Sequence, residues 1–227
     1  MIRAVFFDAV GTLLHPEPAV GVAYVQVGRA LGSQYDETAL AVRFRAAFRR
    51  QEEIDRAGDW RTDEDRERRR WRAIVAEVLA DVSDAEECFR RLWDHFASPA
   101  AWAVEPDTPA VLSDLAGRGY LLGLASNFDG RLRRLVAALP ALHPVSHLVI
   151  SAEVGWRKPS PLFYEAVVRA AGVSPSEILV VGDDPINDDE GARSAGLASL
   201  LFDRRPTVEG PYGERLARLA DLPALLP

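Results

Sequence analysis

The pattern of apolar and polar positions predicts an α/β core. Apolar runs occupy residues 4–7, 120–125 and 178–181, with further runs at 148–150 and 198–202. Runs of this length, rich in β-branched or aromatic residues and bounded by turn signals, suit strands buried on both faces of a parallel sheet. Each of the first three runs ends in a polar turn, so we expect polar side chains at the carboxyl ends of these strands.

Helical patterns alternate with the predicted strands. They occupy residues 108–118, 130–139, 161–171 and 188–195. Three of them are followed directly by a glycine, where helices commonly end, at Gly119, Gly172 and Gly196. Alternating strands and helices imply right-handed crossover connections. The predicted fold class is therefore a doubly wound, Rossmann-like parallel sheet.

A long segment after the first strand breaks this alternation. No strand is predicted in it, and four helix-like patterns occupy residues 19–31, 37–55, 63–81 and 84–96. Prolines flank the segment on both sides. We therefore predict an all-helical domain, residues 16–99, inserted into a core of residues 1–15 and 100–227, with a hinge at each junction.

A charged run, Arg-Glu-Arg-Arg-Arg at residues 66–70, lies in the third of these helices. Runs of mixed charge along one helix are typical of a surface stabilised by ion pairs four positions apart. We therefore expect a solvated helix face here, not a ligand site.

Composition and charge argue against several classes of protein. The chain has 227 residues and a net charge of −7, which argues against a nucleic-acid-binding surface. The single cysteine, Cys88, cannot form an intrachain disulfide, which favours a reducing compartment. The first apolar run is too short for a secretory signal, and no run of about 20 apolar residues would span a bilayer. We expect a cytoplasmic protein without nucleic-acid or membrane partners, either a monomer or a homodimer.

Lysine is nearly absent from the chain. Of the 27 basic side chains only one is lysine, Lys158, and asparagine occurs only at Asn127 and Asn187. An ammonium group is a compact point charge on a flexible stem, whereas a guanidinium is a broad planar fork. Both asparagines lie in polar turns after apolar runs, where open α/β sheets bind their ligands. We therefore interpret Lys158 as a position that needs an ammonium group.

Candidate catalytic groups follow the predicted strands. Asp8 follows the first strand, Ser126 follows the second, and the third is followed by a cluster of carboxylates, Asp183, Asp184 and Asp188. Without a cation, carboxylates this close would repel and raise one another's pKa. Oxygen ligands around a partly hydrated site suit Mg²⁺. The sequence therefore predicts a magnesium site at this edge of the sheet.

In this order and spacing, these residues resemble the haloacid dehalogenase superfamily of hydrolases. The motifs that carry the resemblance are residues 8–12, Ser126, Lys158 and Gly182-Asp183-Asp184 with Asp188. The helical insertion is similar to the helical cap of subfamily I of that superfamily. The first motif, together with Trp71 in the insertion, resembles the Reg-2-like branch. The resemblance covers essentially the whole chain.

The resemblance implies roles for the phosphate-binding residues. Asp8 would be the nucleophile that forms an aspartyl-phosphate, which water then hydrolyses. Thr12 and Ser126 would donate hydrogen bonds to phosphoryl oxygens, and Asn127 would complete this set by steadying the second loop. Lys158 would neutralise the charge on the transferring group.

The resemblance also implies a metal-binding set. Asp8, the main-chain carbonyl of Val10 and Asp183 would bind Mg²⁺, with Asp184 joining the metal shell through water. Asp188 would orient the catalytic lysine. The implied activity is that of a Mg²⁺-dependent phosphatase acting on a small phosphorylated metabolite.

Val10 departs from the phosphatase pattern, because phosphatases of this superfamily usually have a general acid/base aspartate at that position. The 2-haloacid dehalogenases lack it too, but they also lack the acidic fourth motif that this chain has. Phosphonoacetaldehyde hydrolases need a cap lysine, which is absent here. Dehalogenation through Asp8 and a catalytically weak protein that binds Mg²⁺ and an anion remain as alternatives. If a proton donor is needed, His15 at the predicted hinge is the first candidate.

Overall fold

A computed structural model describes residues 1–204 and 213–227 of the chain. Its strands are β1 (Ala4–Phe7), β2 (Leu14–Pro16), β3 (Trp102–Val104), β4 (Leu121–Ser126), β5 (His147–Ile150), β6 (Ile178–Gly182), β7 (Ala198–Phe202) and β8 (Arg215–Leu216). Six of these strands form one parallel sheet in the order β5-β4-β1-β6-β7-β8. All five predicted strands are present, which confirms the α/β fold class.

Helices cover both faces of the sheet and form the insertion. They are α1 (Val20–Ala30), α2 (Glu37–Ala57), α3 (Glu64–Val78), α4 (Ala85–Ala97), α5 (Thr108–Gly117), α6 (Arg131–Ala138), α7 (Ser151–Val154), α8 (Pro161–Ala171), α9 (Gly191–Ser194) and α10 (Leu222–Leu225). Within the described ranges, every helix falls short of the length and apolar character that a membrane crossing requires.

The central strand β1 fixes the position of the candidate site. It pairs with β4 on one side and with β6 on the other, so that Phe7 lies opposite both Leu124 and Val181. Successive side chains of a strand point to opposite faces. Val5 and Phe7 accordingly pack with α5 and α6, whereas Ala4 and Phe6 pack with α8. Because the three strands are parallel, the polar residues that follow them meet at one edge.

The predicted glycine positions terminate helices or turns as expected. Gly119, Gly172 and Gly196 have φ values of 85°, 64° and 82°. Only glycine adopts this left-handed conformation without a steric penalty from Cβ. The predicted helix at 188–195 is less regular than its pattern indicates, because a π-helical turn over Pro185–Glu190 precedes α9.

The insertion is helical, as its pattern predicts. Three of its helices begin after an aspartate whose carboxylate accepts a hydrogen bond from a main-chain N–H of the first turn: Asp36 before α2, Asp63 before α3 and Asp84 before α4. Such caps satisfy donors that have no partner within the helix. The four helices enclose their own apolar core, which includes Cys88 as a buried free thiol.

A short antiparallel ribbon connects the insertion to the core, and the sequence did not predict it. β2 pairs with β3, with His15 opposite Ala103 and Pro16 opposite Trp102. Each strand has three residues and β2 ends in proline, so the alternation is too short to be recognised. The predicted boundary between residues 15 and 16 lies within β2.

The expectation of a solvated face at residues 66–70 is wrong for two of its members. Glu67 and Arg70 are each only 1% exposed. Both point from α3 into the molecule, where Arg70 pairs with Asp55 of α2 and Glu67 pairs with Arg157 of the core. Helical periodicity can place these two side chains on one face of α3, but it cannot show that each has a buried ion-pair partner.

Candidate active site

A cavity of about 300 Å³ lies between the helical insertion and the carboxyl edge of the sheet. Its floor includes Asp8 after β1, Ser126 at the end of β4, Lys158 before α8 and Asp183 after β6. The structure thus brings together residues as distant in the chain as Asp8 and Asp183, which are 175 positions apart. The site lies where open α/β sheets generally bind ligands.

Lys158 is the electrostatic centre of the floor and is only 2% exposed. Its Nζ lies 2.6 Å from Oδ1 of Asp8 and 2.6 Å from Oδ1 of Asp188, and it donates to the carbonyl of Ala125 at 2.9 Å. Burial by itself would lower the pKa of Lys158, but the carboxylates of Asp188 and Asp8 raise it well above its ordinary value. The lysine is therefore held as a cation.

The surrounding carboxyl groups carry more negative charge than one lysine neutralises. Burial, followed by repulsion from Asp8 and Asp188, raises the pKa of Asp183 to about 8, although this side chain reaches solvent within the cavity. Burial also raises the pKa of Asp188 to about 6, against the opposing effect of Lys158. A cation at this position would relieve the repulsion.

The donor set fits a hard divalent cation such as Mg²⁺. One carboxylate oxygen from each of Asp8, Asp183 and Asp188 lies within 4.8 Å of the other two. Asp188 already uses both oxygens, because Oδ1 contacts Lys158 and Oδ2 accepts from the main-chain N–H of Asp184. Within residues 1–204 and 213–227, Asp183 forms no side-chain hydrogen bond and Asp8 forms only the one to Lys158. Asp8 and Asp183 are therefore the carboxylates with oxygens available to a metal.

Asp184 is occupied by its own loop. Its Oδ1 accepts from the main-chain N–H groups of Ile186 and Asn187, at 2.9 and 2.8 Å, and its Oδ2 accepts from Nδ2 of Asn187 at 3.0 Å. These bonds cap the π-helical turn after β6. A water-mediated contact between Asp184 and a metal stays a prediction.

Thr12 and Ser126 have the properties of anion-binding groups. The Thr12 side chain is fully buried, and its Oγ1 has no hydrogen-bond partner among the residues that the structure describes. A buried hydroxyl without a partner is costly, so an acceptor that reached Thr12 would be favoured, although Thr12 is not among the residues that line the cavity. Ser126 is also buried and lies on the cavity floor. Ser126 is the last residue of β4, and Thr12 lies in the loop between β1 and β2.

Asn127 has a positioning role in this geometry. Its Oδ1 accepts from the main-chain N–H of Lys158 at 2.7 Å, and its Nδ2 donates to the main-chain carbonyl of Lys158 at 3.1 Å. The amide therefore contacts the lysine loop through both its oxygen and its nitrogen. The side chain joins the second and third motifs, and its Nδ2 has a second N–H that forms no hydrogen bond among the described residues.

The expected proton donor His15 lies outside the cavity. Its Nε2 lies 2.9 Å from Oε2 of Glu105, and burial together with the charge of Arg204 lowers its pKa. Val10 does line the cavity and provides no proton there. Among the described residues of the cavity wall there is no histidine. Glu52 of α2 does line the cavity, and burial raises the pKa of this carboxyl group.

The sequence analysis missed the charged residues that join the insertion to the lysine loop. Arg157 forms buried ion pairs with Glu67 of α3 and, at 3.5 Å, with Asp55 of α2. Asp55 also accepts from Nε of Arg70 at 2.9 Å. The one available signal was the position of Arg157 directly before the only lysine, and it does not identify the partners.

Comparisons with known proteins agree with this architecture. A family model for haloacid dehalogenase-like hydrolases matches residues 2–196. Human haloacid dehalogenase-like hydrolase domain-containing protein 3 is 30% identical over 206 residues, which cover 88% of this chain and 81% of that protein. A phosphoglycolate phosphatase of Rhodospirillum rubrum is 31% identical over 233 residues, which cover 99% and 86%.

A solved structure shows the same fold. L-2-haloacid dehalogenase from Xanthobacter autotrophicus superimposes with a TM-score of 0.76 at 20% identity, covering 100% of this chain and 98% of that chain. Together, the matched family model, the parallel sheet and the helical insertion lead to one conclusion. The chain belongs to the haloacid dehalogenase-like hydrolase family.

Proposed function

We propose that the protein is a Mg²⁺-dependent phosphatase of small phosphorylated metabolites that acts through an aspartyl-phosphate on Asp8. The observation that carries this proposal is the arrangement of Lys158 between Asp8 and Asp188, beside the uncompensated carboxylate of Asp183. This arrangement can accept both a divalent cation and a phosphoryl group. The relative that is a phosphoglycolate phosphatase supports the same reaction class.

The proposed reaction takes place in two steps on Asp8, which Lys158, Thr12 and Ser126 assist. A carboxylate oxygen of Asp8 attacks phosphorus, the bond to the leaving oxygen breaks, and water later releases phosphate from Asp8. Lys158 neutralises negative charge on the nucleophile and on the phosphoryl group as they approach. Thr12 and Ser126 donate hydrogen bonds to phosphoryl oxygens.

Magnesium would be held by Asp8, Asp183 and the main-chain carbonyl of Val10. When bound, it would act as a Lewis acid that polarises a phosphoryl oxygen. Asp188 keeps Lys158 in place and Asn127 holds the main chain of the lysine loop.

Dehalogenation of a short 2-haloacid is the competing enzymatic function. The substrate carboxylate and the departing halide would then meet the negative charge of Asp183 and Asp188 without a metal, whereas Mg²⁺ held by the same cluster would offset this charge for a phosphoryl group. The acidic cluster therefore favours the phosphatase. A protein that binds Mg²⁺ and an anion without turnover is the competing non-enzymatic function.

A screen of phosphorylated metabolites with Mg²⁺ or with EDTA tests these three functions. We expect phosphate release that needs Mg²⁺ and that Asp8→Asn abolishes, because an amide is a poor nucleophile. Asp94→Asn, an exposed aspartate of α4, is the matched control and should keep full activity. Turnover of 2-chloropropionate in EDTA would establish dehalogenation instead. Mg²⁺ binding without turnover of either substrate class would establish the binding protein.

A further inference from the structure

The wall that the helical insertion contributes to the cavity is mainly apolar and rich in aromatic rings. Its rings are Tyr24, Phe48, Trp71, Phe89, Trp93 and Phe96, and Trp102 and Phe128 continue this surface on the core side. Several of them contact one another, with ring centroids 6.3 Å apart for Phe48 and Trp71, and 6.0 Å apart for Trp102 and Phe128. A surface of this kind gains most from contact with an apolar or aromatic ligand.

The arginines of this wall are already compensated. Arg131 donates to both carboxylate oxygens of Asp129, at 2.8 and 2.7 Å, and its guanidinium lies 3.5 Å from the ring centroid of Trp93. Arg157 is paired with Glu67. The wall therefore presents neither of these cations to a ligand.

Arg70 is the third arginine of the wall, and it too is occupied. It donates from Nε to Asp55 at 2.9 Å, while its Nη2 lacks a hydrogen bond but is shielded from solvent and lies 4.0 Å from Glu52. Glu52 adds a partly exposed carboxyl group to the same wall. A ligand carrying a second negative charge would meet this carboxyl group and no free cation among the described residues of the wall.

The floor of the cavity restricts the leaving group in a different way. Val10 lies on this floor and cannot protonate a departing oxygen, and His15 is outside the cavity and bonded to Glu105. General acid catalysis typically contributes about 10²–10⁴ to the rate. Glu52 of the wall is the remaining candidate donor, and an alkyl alcohol would depend on it, whereas a phenol is acidic enough to depart without a proton.

The aromatic wall and the lack of a general acid at Val10 point to the same ligand. We propose that the substrate is an aryl phosphate monoester whose ring carries no negative charge. This inference rests on the proposed phosphatase function. Asp8 forms a bond to phosphorus while the phosphorus–aryl oxygen bond breaks, and the phenolate leaves with the bonding pair and is protonated by solvent. Water then forms a bond to phosphorus, the bond from phosphorus to Asp8 breaks, and phosphate and one proton are released.

Three phosphate donors separate the contributions of floor and wall. Acetyl phosphate has an acidic leaving group but no ring, and phenyl phosphate has a neutral ring. 4-Carboxyphenyl phosphate has a charged ring and a slightly more acidic phenol than phenyl phosphate. We expect turnover of all three, with a KM for phenyl phosphate at least about tenfold below the other two. Acetyl phosphate has no ring to bury, and the carboxylate of 4-carboxyphenyl phosphate would meet the carboxyl group of Glu52.

Substitution of a wall residue tests the location of the ring. Trp71→Ala should raise the KM for phenyl phosphate about tenfold and leave the KM for acetyl phosphate within twofold. Tyr35→Ala removes an aromatic residue of the same domain outside the cavity and should change neither. Circular dichroism checks folding, and Phe48→Leu replaces Trp71→Ala if that variant does not fold. Quenching of tryptophan fluorescence by phenylphosphonate measures binding without turnover.

The outcomes distinguish this inference from the proposed function. If acetyl phosphate is not hydrolysed through Asp8, the phosphatase proposal fails, and the inference fails with it. If acetyl phosphate is hydrolysed but 4-carboxyphenyl phosphate is used as well as phenyl phosphate, only the aryl inference is overturned. Equal effects of Trp71→Ala on phenyl and acetyl phosphate would overturn the placement of the ring.

Discussion

Lys158 lies between two carboxylates, and the chemistry of the site depends on this charge balance. Its ammonium group contacts Asp8 and Asp188 at 2.6 Å each, and both contacts are shielded from water. Such short contacts leave little room for a larger head group. Because the cation is almost fully buried, its removal would also leave carboxylates unpaired in a region of low dielectric constant.

Lys158→Arg should reduce phosphate release by at least about 10²-fold, because the planar guanidinium cannot occupy the space between the two carboxylates. Arg169→Lys makes the reverse exchange on the exposed face of α8 and should leave the rate unchanged. Steady-state kinetics measures both variants. Activity of Lys158→Arg within tenfold of the natural protein would contradict the need for an ammonium group.

Val10→Asp should increase the hydrolysis of alkyl phosphates by about 10²-fold or more, because it places a proton donor beside the leaving oxygen. Hydrolysis of phenyl phosphate should gain much less, since the phenolate already departs without a proton. Val10→Asn has nearly the same shape and provides no acid, so it should show no gain. An equal gain in both variants would mean that polarity, not proton transfer, is responsible.

At the scale of elements, the loop after β1 is fitted closely to the loop after β6. The N–H of Leu14 donates to the carbonyl of Ala9 at 2.8 Å, and the N–H of Gly11 donates to the carbonyl of Leu14 at 2.9 Å. Gly11 has a φ of 101°, and a Cβ there would lie 2.2 Å from Oδ2 of Asp183. The glycine therefore allows both the tight turn and the close approach of Asp183, the proposed metal ligand.

Gly11→Ala should abolish Mg²⁺ binding and turnover, because its methyl group displaces Asp183. Gly119→Ala is the matched control, since it has a φ of 85° but nothing within 4 Å of the added Cβ. Both variants should lose about 1–2 kcal/mol in free energy of unfolding from the left-handed conformation. Calorimetry with Mg²⁺ and denaturant unfolding separate the two effects. Retained Mg²⁺ binding in Gly11→Ala would show that Asp183 can move without loss of the site.

At the scale of the whole molecule, the insertion docks on the segment that holds Lys158. The N–H of Arg157 donates to the carbonyl of Trp60 at 2.8 Å, and the N–H of Thr62 donates to the carbonyl of Gly155 at 3.0 Å. The buried ion pair between Arg157 and Glu67 reinforces these bonds. Because Arg157 directly precedes Lys158, the position of the insertion and the position of the lysine are coupled.

Glu67→Gln should lower the free energy of unfolding by about 3–5 kcal/mol at neutral pH, because it removes the closer of the two carboxylates that pair with buried Arg157 and leaves only Asp55, at 3.5 Å. Glu77→Gln breaks a surface pair with Arg50 and should cost less than about 1 kcal/mol. Urea unfolding measures both. A loss in Glu67→Gln no larger than that in Glu77→Gln would show that the buried pair does not stabilise the docked insertion.

The effect of Glu67→Gln should also depend on pH. Burial raises the pKa of Glu67, but Arg157 and Arg70 lower it by more, so the folded value lies below its ordinary value. Ionisation of Glu67 therefore stabilises the folded state above the unfolded pKa of about 4.3, and this contribution is lost as the pH falls through the folded value. The difference between natural protein and variant should shrink at acid pH. A difference that stays constant as the pH falls from 7 to well below about 4.3 would contradict this role of the charge.

The sequence by itself determined five of the six strands of the parallel sheet, most helices and the residues at the strand ends. Buried parallel strands need continuous apolar runs, and Asp8, Ser126 and Asp183 must then meet at one edge because β1, β4 and β6 are parallel. The helices of the insertion follow from their periodicity and their aspartate caps. These features depend on patterns among neighbouring residues, so the sequence alone is enough to predict them.

Only the tertiary structure decided which charges are paired and which face the cavity. Glu67 and Arg157 are 90 positions apart, and their local patterns indicate solvated surface until the insertion folds back on the core. The same folding assembles the aromatic wall from helices whose apolar residues would otherwise indicate only a core. His15 lies near Asp8 in the sequence but outside the cavity, because the ribbon of β2 and β3 directs it to Glu105. Non-local contacts of this kind depend on packing, which periodicity does not encode.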